Sequence, residues 1–251
     1  MSPPVDLWVV VPAYDEARGI TATLDALAAQ HDRAFTVLVV DNGSRDGTGD
    51  VVRAHDRGLD LRVIGEPVKG TGAAADTGMR HAIDAGATLL ARTDADCLPG
   101  PGWTAALRAG FADGLELIGG RLVPRTDEVR LRLWERRGLP AVVAVAAAFG
   151  RLRPSNRGPA YRGPYVMCAG CNLAITAELY RRSGGFPRTA IEDVHEDRAL
   201  VNAVRRVGGR IGRRRDAVVA GSVRRVRAYG LVGTLGWYAD HRHRPDVVDV
   251  R

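Results

Sequence analysis

Cysteine is nearly absent from this chain, with three in 251 residues: Cys97, Cys168 and Cys171. An odd number without repeated spacing excludes a disulfide framework, and the expected setting is the reducing cytoplasm. Cys168-Ala-Gly-Cys171 has the spacing of a redox pair, yet no second pair completes a zinc site, so small buried thiols are expected. Lysine is scarcer still. Of 36 basic residues only Lys69 is lysine, as expected of a coding bias toward arginine. Long hydrophobic runs are missing too: the longest, Leu139 to Gly150, is too short to span a bilayer. The opening Met-Ser-Pro-Pro-Val-Asp lacks the charged region of a signal peptide. A soluble, cytoplasmic protein with at most peripheral membrane contact is expected.

The formal net charge of +7 suggests polyanion binding, but the surplus is local. Arg205, Arg206, Arg210, Arg213, Arg214, Arg215, Arg224, Arg225 and Arg227 crowd one segment, with Asp216 the only acid among them. That segment reads either as a basic wall facing phosphates or as a solvated face.

What is present is a rhythm of buried strands and amphipathic helices. Leu7 to Val11 is a β-branched run closed by Pro12, suited to a strand covered on both faces, and Ala13-Tyr-Asp-Glu16 follows as a loop. Ile20, Leu24 and Leu27 keep helical spacing. Phe35 to Val40 is a second strand, ending in the Asx- and Gly-rich loop Asp41 to Thr48. Val51 and Val52 lie on a second helix, and Leu61 to Ile64 is a third strand. Strands alternating with helices imply a doubly wound, mostly parallel sheet whose working loops sit at the strand C-termini. Asp15, Asp41 and Asp94 all fall just past such ends.

The stretch Leu89 to Leu98 is the centre of this pattern. It reads as a buried strand ending in Asp94 and Asp96, whose side chains the pleat sends to the same side. Two carboxylates so placed repel unless a cation shares them. A divalent metal that also grips a diphosphate resolves that cost; two solvated aspartates in a turn before Pro99 would do so without any ligand. Lys69-Gly-Thr-Gly-Ala-Ala-Ala75 contains Gly-x-Gly-x-x-Ala, but it follows the third strand rather than the first, which argues against a dinucleotide fingerprint. As a helix N-terminus beside the only lysine it remains suited to a nucleotide.

Trp103 to Phe111 reads as a helix, and Leu115 to Val123 as a strand whose Gly119-Gly120 admits a ligand or another backbone. Glu128 to Phe149 reads as largely helical, and Arg151 to Pro164 as a mobile loop. A helix is expected from Ala177. Ile191 to Leu200 then gathers four carboxylates and a histidine, from which a general base is available.

Taken in order, Val9-Val-Val-Pro-Ala-Tyr-Asp-Glu16, Val39-Val-Asp-Asn-Gly-Ser-Arg-Asp-Gly-Thr48, Thr93-Asp-Ala-Asp96, Gly170-Cys-Asn172 with Gly184-Gly-Phe186, and His195-Glu-Asp-Arg198 resemble the motifs of family 2 glycosyltransferases over roughly residues 5 to 205. The resemblance implies an α/β fold of GT-A type with an acceptor-side extension. It places a nucleotide-sugar-binding half over 1–125 and an acceptor-binding half over 126–251 of a single domain. It also implies inversion at the anomeric carbon, Mn2+ or Mg2+, and a nucleotide-diphospho-sugar donor, UDP-sugars favoured. The acceptor is a hydroxyl on a lipid phosphate, a glycan or a small natural product.

Carried over by position, Pro12, Tyr14, Asp15, Glu16, Asp41, Lys69, Asp94 and Arg225 line the nucleotide-sugar site, and Asp96 with His241 holds the metal. Asn172 and Glu196 face the acceptor, and Asp197 is the catalytic base. Arg224, Arg225, His241 or His243 closes over the diphosphate. The family's processive members carry a Gln-x-x-Arg-Trp motif, which is missing here, and the usual second carboxylate of the Asp-Asp-Gly-Ser loop is Asn42. Two other readings are a sugar-1-phosphate nucleotidyltransferase and a non-catalytic polyanion-binding module. The acidic loop after the first strand argues against the first; acids at three successive strand ends argue for a small-molecule site and against nucleic acid.

Overall fold

The structure is a computed structural model that describes residues 6–127, 156–188 and 196–224. Its framework is one eight-stranded sheet in the order β3-β2-β1-β4-β7-β6-β8-β5. The first four positions are β3 (Asp60–Gly65), β2 (Phe35–Asp41), β1 (Leu7–Ala13) and β4 (Leu89–Arg92), all parallel. β7 (Leu173–Thr176) runs antiparallel between β4 and β6 (Leu117–Pro124). β8 (Ile211–Gly221) is parallel to β6, and the two-residue β5 (Leu98–Pro99) closes the far edge antiparallel to β8. Strands from the second half of the chain are thus built into the sheet of the first half.

Central β1 is buried along its whole length, and its alternate side chains feed two separate cores. Trp8 and Val10 face a layer with Met79 of α3 (Thr71–Asp84), Leu179 of α5 (Ala177–Ser183) and Leu200 of α6 (Glu196–Val207). Leu7, Val9 and Val11 face Leu24 of α1 (Ile20–Ala28), Val52 of α2 (Thr48–Arg53) and Leu107 of α4 (Trp103–Ala112). This two-sided burial is why the strand reads as an unbroken apolar run.

The acidic stretch departs from its expected form. β4 stops at Arg92, its last pairing being with Val10 of β1. The chain then turns, with the Cys97 N–H donating to the Asp94 carbonyl at 3.0 Å. The Thr23 hydroxyl of α1 holds the turn by donating to the Ala95 carbonyl at 2.7 Å. Asp94 and Asp96 are therefore on a turn rather than a pleat, and they look toward different partners. At Gly119 and Gly120 the close neighbour is protein: added Cβ atoms would press on the Cys168 thiol and on the Asn172 amide, respectively. The expected helix over 128–149, most of the expected second-half motif before Glu196, and the start of the 151–164 loop lie outside the described residues.

Candidate active site

The C-terminal ends of β1, β2 and β4 meet at one mouth, as a topological switch point of an open sheet requires. After β1, Asp15 adopts the left-handed conformation at φ 51°, which costs a non-glycine residue energy and calls for fixed partners. It has them in the β2 loop. The Asp15 N–H donates to Ser44 Oγ at 3.0 Å, and the Arg45 N–H returns a bond to Asp15 Oδ1 at 2.7 Å. The Glu16 N–H donates to Thr48 Oγ1 at 2.9 Å, and the Ala17 N–H to Asp46 Oδ2 at 2.9 Å. Pro12 is buried within β1, and Asp41 Oδ1 accepts the Ser44 N–H. The two Asx-rich loops thus brace each other.

Asn42 joins that frame to a third loop. Its amide donates to the carbonyls of Glu66 and Val68 at 2.8 Å each, and its Oδ1 accepts the Gly70 N–H at 2.8 Å. Lys69, on the same loop, donates to the Tyr14 hydroxyl at 2.9 Å and lies over its ring. A carboxylate in place of Asn42 would have no N–H to give those two carbonyls. The departure from Asp-Asp-Gly-Ser therefore has a structural use here.

Arg92 is the buried centre of the site. It ends β4 fully enclosed, over the face of Phe186, with Asp94 at 3.1 Å and Glu196 at 3.4 Å. Gly170 makes room for it, since a Cβ there would sit 3.1 Å from the guanidinium. Burial pushes the Asp94 carboxyl upward, aided by Asp96 and Glu196 and opposed by Arg92. Asp96 points elsewhere, its Oδ2 3.0 Å from Arg224 Nη2, which also lies 2.8 Å from Glu16 Oε1. The Arg125 guanidinium donates to the Asp96 carbonyl at 2.9 Å.

In the first turn of α6, burial and neighbouring Glu196 push the Asp197 carboxyl up to about 6, against the pull of Arg92 and the Arg198 and Gly170 N–H groups. A base poised there is ionised at neutral pH while still able to take a proton. Asn172 is buried instead of facing the mouth. Its Oδ1 accepts the Trp103 indole N–H at 2.9 Å, and its amide donates to the Arg121 and Ala217 carbonyls at 3.1 and 3.0 Å. Arg225, His241 and His243 lie outside the described residues.

With this geometry in place, the likeness to known proteins becomes specific. The sequence profile of Glycosyl transferase family 2 matches residues 8–182, spanning β1 to the end of α5. The chain belongs to glycosyl transferase family 2. Glycosyltransferase AglE of Haloferax volcanii is 35% identical over 122 residues, covering 45% of this chain and 38% of AglE. The chain spans less than half the length of the curated relatives it matches. Mannosyltransferase PcManGT from Pyrobaculum calidifontis, solved with GDP-Man and Mn2+, superposes with a TM-score of 0.63 at 27% identity over 93% of this chain and 64% of that one. Glucosyl-3-phosphoglycerate synthase from Mycobacterium tuberculosis, solved with Mn2+, UDP-glucose and phosphoglyceric acid, gives 0.57 at 18% over 86% and 71%, a likeness of fold. The α/β fold is of GT-A type, as the resemblance implies.

Within this family 2 frame, two arginines carry roles that no motif announced. Arg92 had one local signal, a lone charge inside the apolar run Leu-Leu-Ala-Arg, which demands a buried partner. Arg188 had none. It pairs with buried Glu66 at 2.8 Å and donates to the Thr77 hydroxyl at 2.7 Å, tying the chain after α5 to α3 and the Lys69 loop. Burial alone would raise Glu66, but Thr77, the Val68 N–H and Arg188 together hold its carboxyl below the usual range. The basic segment also divides by use: Arg205 is buried and bonds the Asn156 and Gly163 carbonyls, Arg214 pairs with Asp113 and Asp216, and Arg224 enters the mouth. Among the described residues, no helix is long and apolar enough to cross a membrane.

Proposed function

We propose that this chain transfers a sugar, with inversion, from a nucleotide-diphospho-sugar to an acceptor hydroxyl. The observation that carries the reading is the meeting at one sheet edge of the Asp94–Asp96 turn with the Glu196–Asp197 pair, through Arg92. Donor-side and acceptor-side carboxylates then flank a single mouth. The Tyr14-Asp15-Glu16 loop, Asp41 and Lys69 bind the nucleotide. Asp197 accepts the proton of the acceptor hydroxyl as its oxygen attacks C1, while the C1–O bond breaks and its electron pair leaves with the diphosphate.

Asp96, which faces the mouth's cationic partner while Asp94 is turned to Arg92, would supply a hard oxygen ligand of the kind that Mn2+ or Mg2+ takes. Among the described residues, no three His, Cys, Asp or Glu side chains converge as a cage. That suits an ion held by one or two carboxylates and completed by substrate phosphates and water. When bound, such an ion offsets the charge that develops on the departing diphosphate. PcManGT, with its GDP-Man and Mn2+, supports both donor class and metal.

The test is thermal unfolding with UDP-, GDP- and dTDP-sugars, each with Mn2+, Mg2+ or chelator. The expected result is stabilisation by one nucleotide class that requires metal and disappears in Asp96→Asn. Stabilisation by nucleic acid or anionic lipid, with none by any nucleotide, would overturn the reading.

A further inference from the structure

The chain that follows α5 is bound to α3 and the Lys69 loop at three successive residues. The Phe186 N–H donates to the Tyr180 hydroxyl at 3.0 Å, and that hydroxyl donates to buried Asp76 of α3 at 2.9 Å. The Pro187 carbonyl lies against the first turn of α3, where a Cβ on Gly72 would clash with it. Arg188 then reaches back. Its Nη2 meets Glu66 Oε2 at 2.8 Å, and its Nη1 donates to the Thr77 hydroxyl at 2.7 Å.

Glu66 is buried, and its two oxygens serve different segments. Oε1 accepts the Val68 N–H at 2.7 Å, beside Lys69, whereas Oε2 takes Thr77 and Arg188. One carboxylate therefore holds both the loop that carries Lys69 and the chain that leads on to Glu196 and Asp197. The first turn of α3 also touches α6 directly, since a Gly72 Cβ would lie 3.4 Å from Glu196 Cβ. A pair of this kind adds little net stability, because burying the carboxylate costs much of what its partner returns. What the forked guanidinium adds is direction.

We propose that Arg188 is a positioning residue that transmits nucleotide binding at the Lys69 loop to the Glu196–Asp197 turn. This rests on the reading of the Lys69 loop as donor-binding and of Asp197 as the base. Nucleotide that orders the loop fixes the Val68 N–H, and with it the Glu66 carboxylate to which Arg188 is held. The base turn is thus steadied once the donor is in place. The coupling is reciprocal: whatever orders the base turn tightens nucleotide binding by the same factor.

The test is hydrogen–deuterium exchange read on peptides covering 66–70 and 196–201, with UDP, GDP or dTDP plus Mn2+ and without nucleotide. It compares the unmodified chain with Arg188→Gln, Arg188→Lys and Glu66→Gln. In the unmodified chain the nucleotide that binds is expected to slow exchange in both segments, by roughly fivefold at 196–201, the lower end of coupling between sites. Arg188→Gln and Glu66→Gln are expected to keep the protection at 66–70 and to lose most of that at 196–201. Arg188→Lys, which keeps the charge but not the fork that reaches both Glu66 and Thr77, recovers part of it. Equal protection of 196–201 in all four chains overturns the coupling and leaves the donor reading standing. So does its absence from the unmodified chain while 66–70 is protected. Loss at both segments in the variants assigns Arg188 to the donor loop alone and overturns the positioning role. No protection of 66–70 by any nucleotide overturns the donor reading on which the proposal rests. Full turnover by Asp197→Asn removes the base assignment without touching the coupling.

Discussion

The Arg92 guanidinium lies 3.4 Å from the Glu196 carboxylate, across 104 positions of sequence. It joins the end of the central parallel sheet to the first turn of α6, and so sets the distance between the two sides of the mouth. Because Arg92 is enclosed and also pairs with Asp94, its removal leaves two carboxylates facing each other without a cation.

Arg92→Met is accordingly expected to cost about 2–4 kcal/mol of stability, read by urea unfolding. Arg92→Lys recovers only part of this, since an ammonium cannot lie flat over Phe186 while reaching both carboxylates. In the transfer assay the lysine variant is expected to lose both turnover and donor affinity, because Arg92 holds Asp94 as well as the Glu196 beside Asp197.

With Asp197 as the proposed base, the pH profile of transfer is expected to report on it. A base must be ionised to act, and this carboxyl is pushed up to about 6 by burial and Glu196. Turnover therefore holds steady above that pH and falls as pH drops through it, by about tenfold per unit well below it. Asp197→Asn removes this limb and nearly all turnover while leaving nucleotide-dependent stabilisation intact. A variant with full turnover would exclude Asp197 as the base.

Asn172→Ala should behave as a framework lesion. It strands the Trp103 indole N–H and the Arg121 and Ala217 carbonyls around a buried void, at a cost of about 2–4 kcal/mol. A lower unfolding midpoint with near-normal turnover at low temperature is the expected pair of results. Unchanged stability with weakened acceptor affinity would return Asn172 to the acceptor side.

Much of this was legible beforehand, for identifiable reasons. β1 and β2 declare themselves because strands buried on both faces need unbroken apolar runs, and α1 because Ile20, Leu24 and Leu27 must share one face. The strand-end acids could be grouped because parallel strands deliver their C-termini to one edge. The acidic stretch differs from its expected form in one local respect. An apolar-polar alternation through Asp94-Ala-Asp96 looks the same in a strand and in a turn, and the difference lies in the loss of β1 as a pairing partner after Val10.

By itself, then, the order of residues determined strands β1 to β4 and β6 and helices α1 to α5, that they wind into one sheet, and that the carboxylates of Asp15, Asp41 and Asp94 collect at its C-terminal edge, whereas β7 and β8 were not legible in it. Those features depend on periodicity and on neighbours within a few positions. Only the tertiary structure decided which cation serves which distant carboxylate: Arg92 for Glu196, Arg188 for Glu66, Arg224 for Glu16 and Asp96. An ion pair closed across 100 or 200 residues imposes no spacing on the chain, and one arginine among so many looks like any other until folding brings its partner within 3 Å or so.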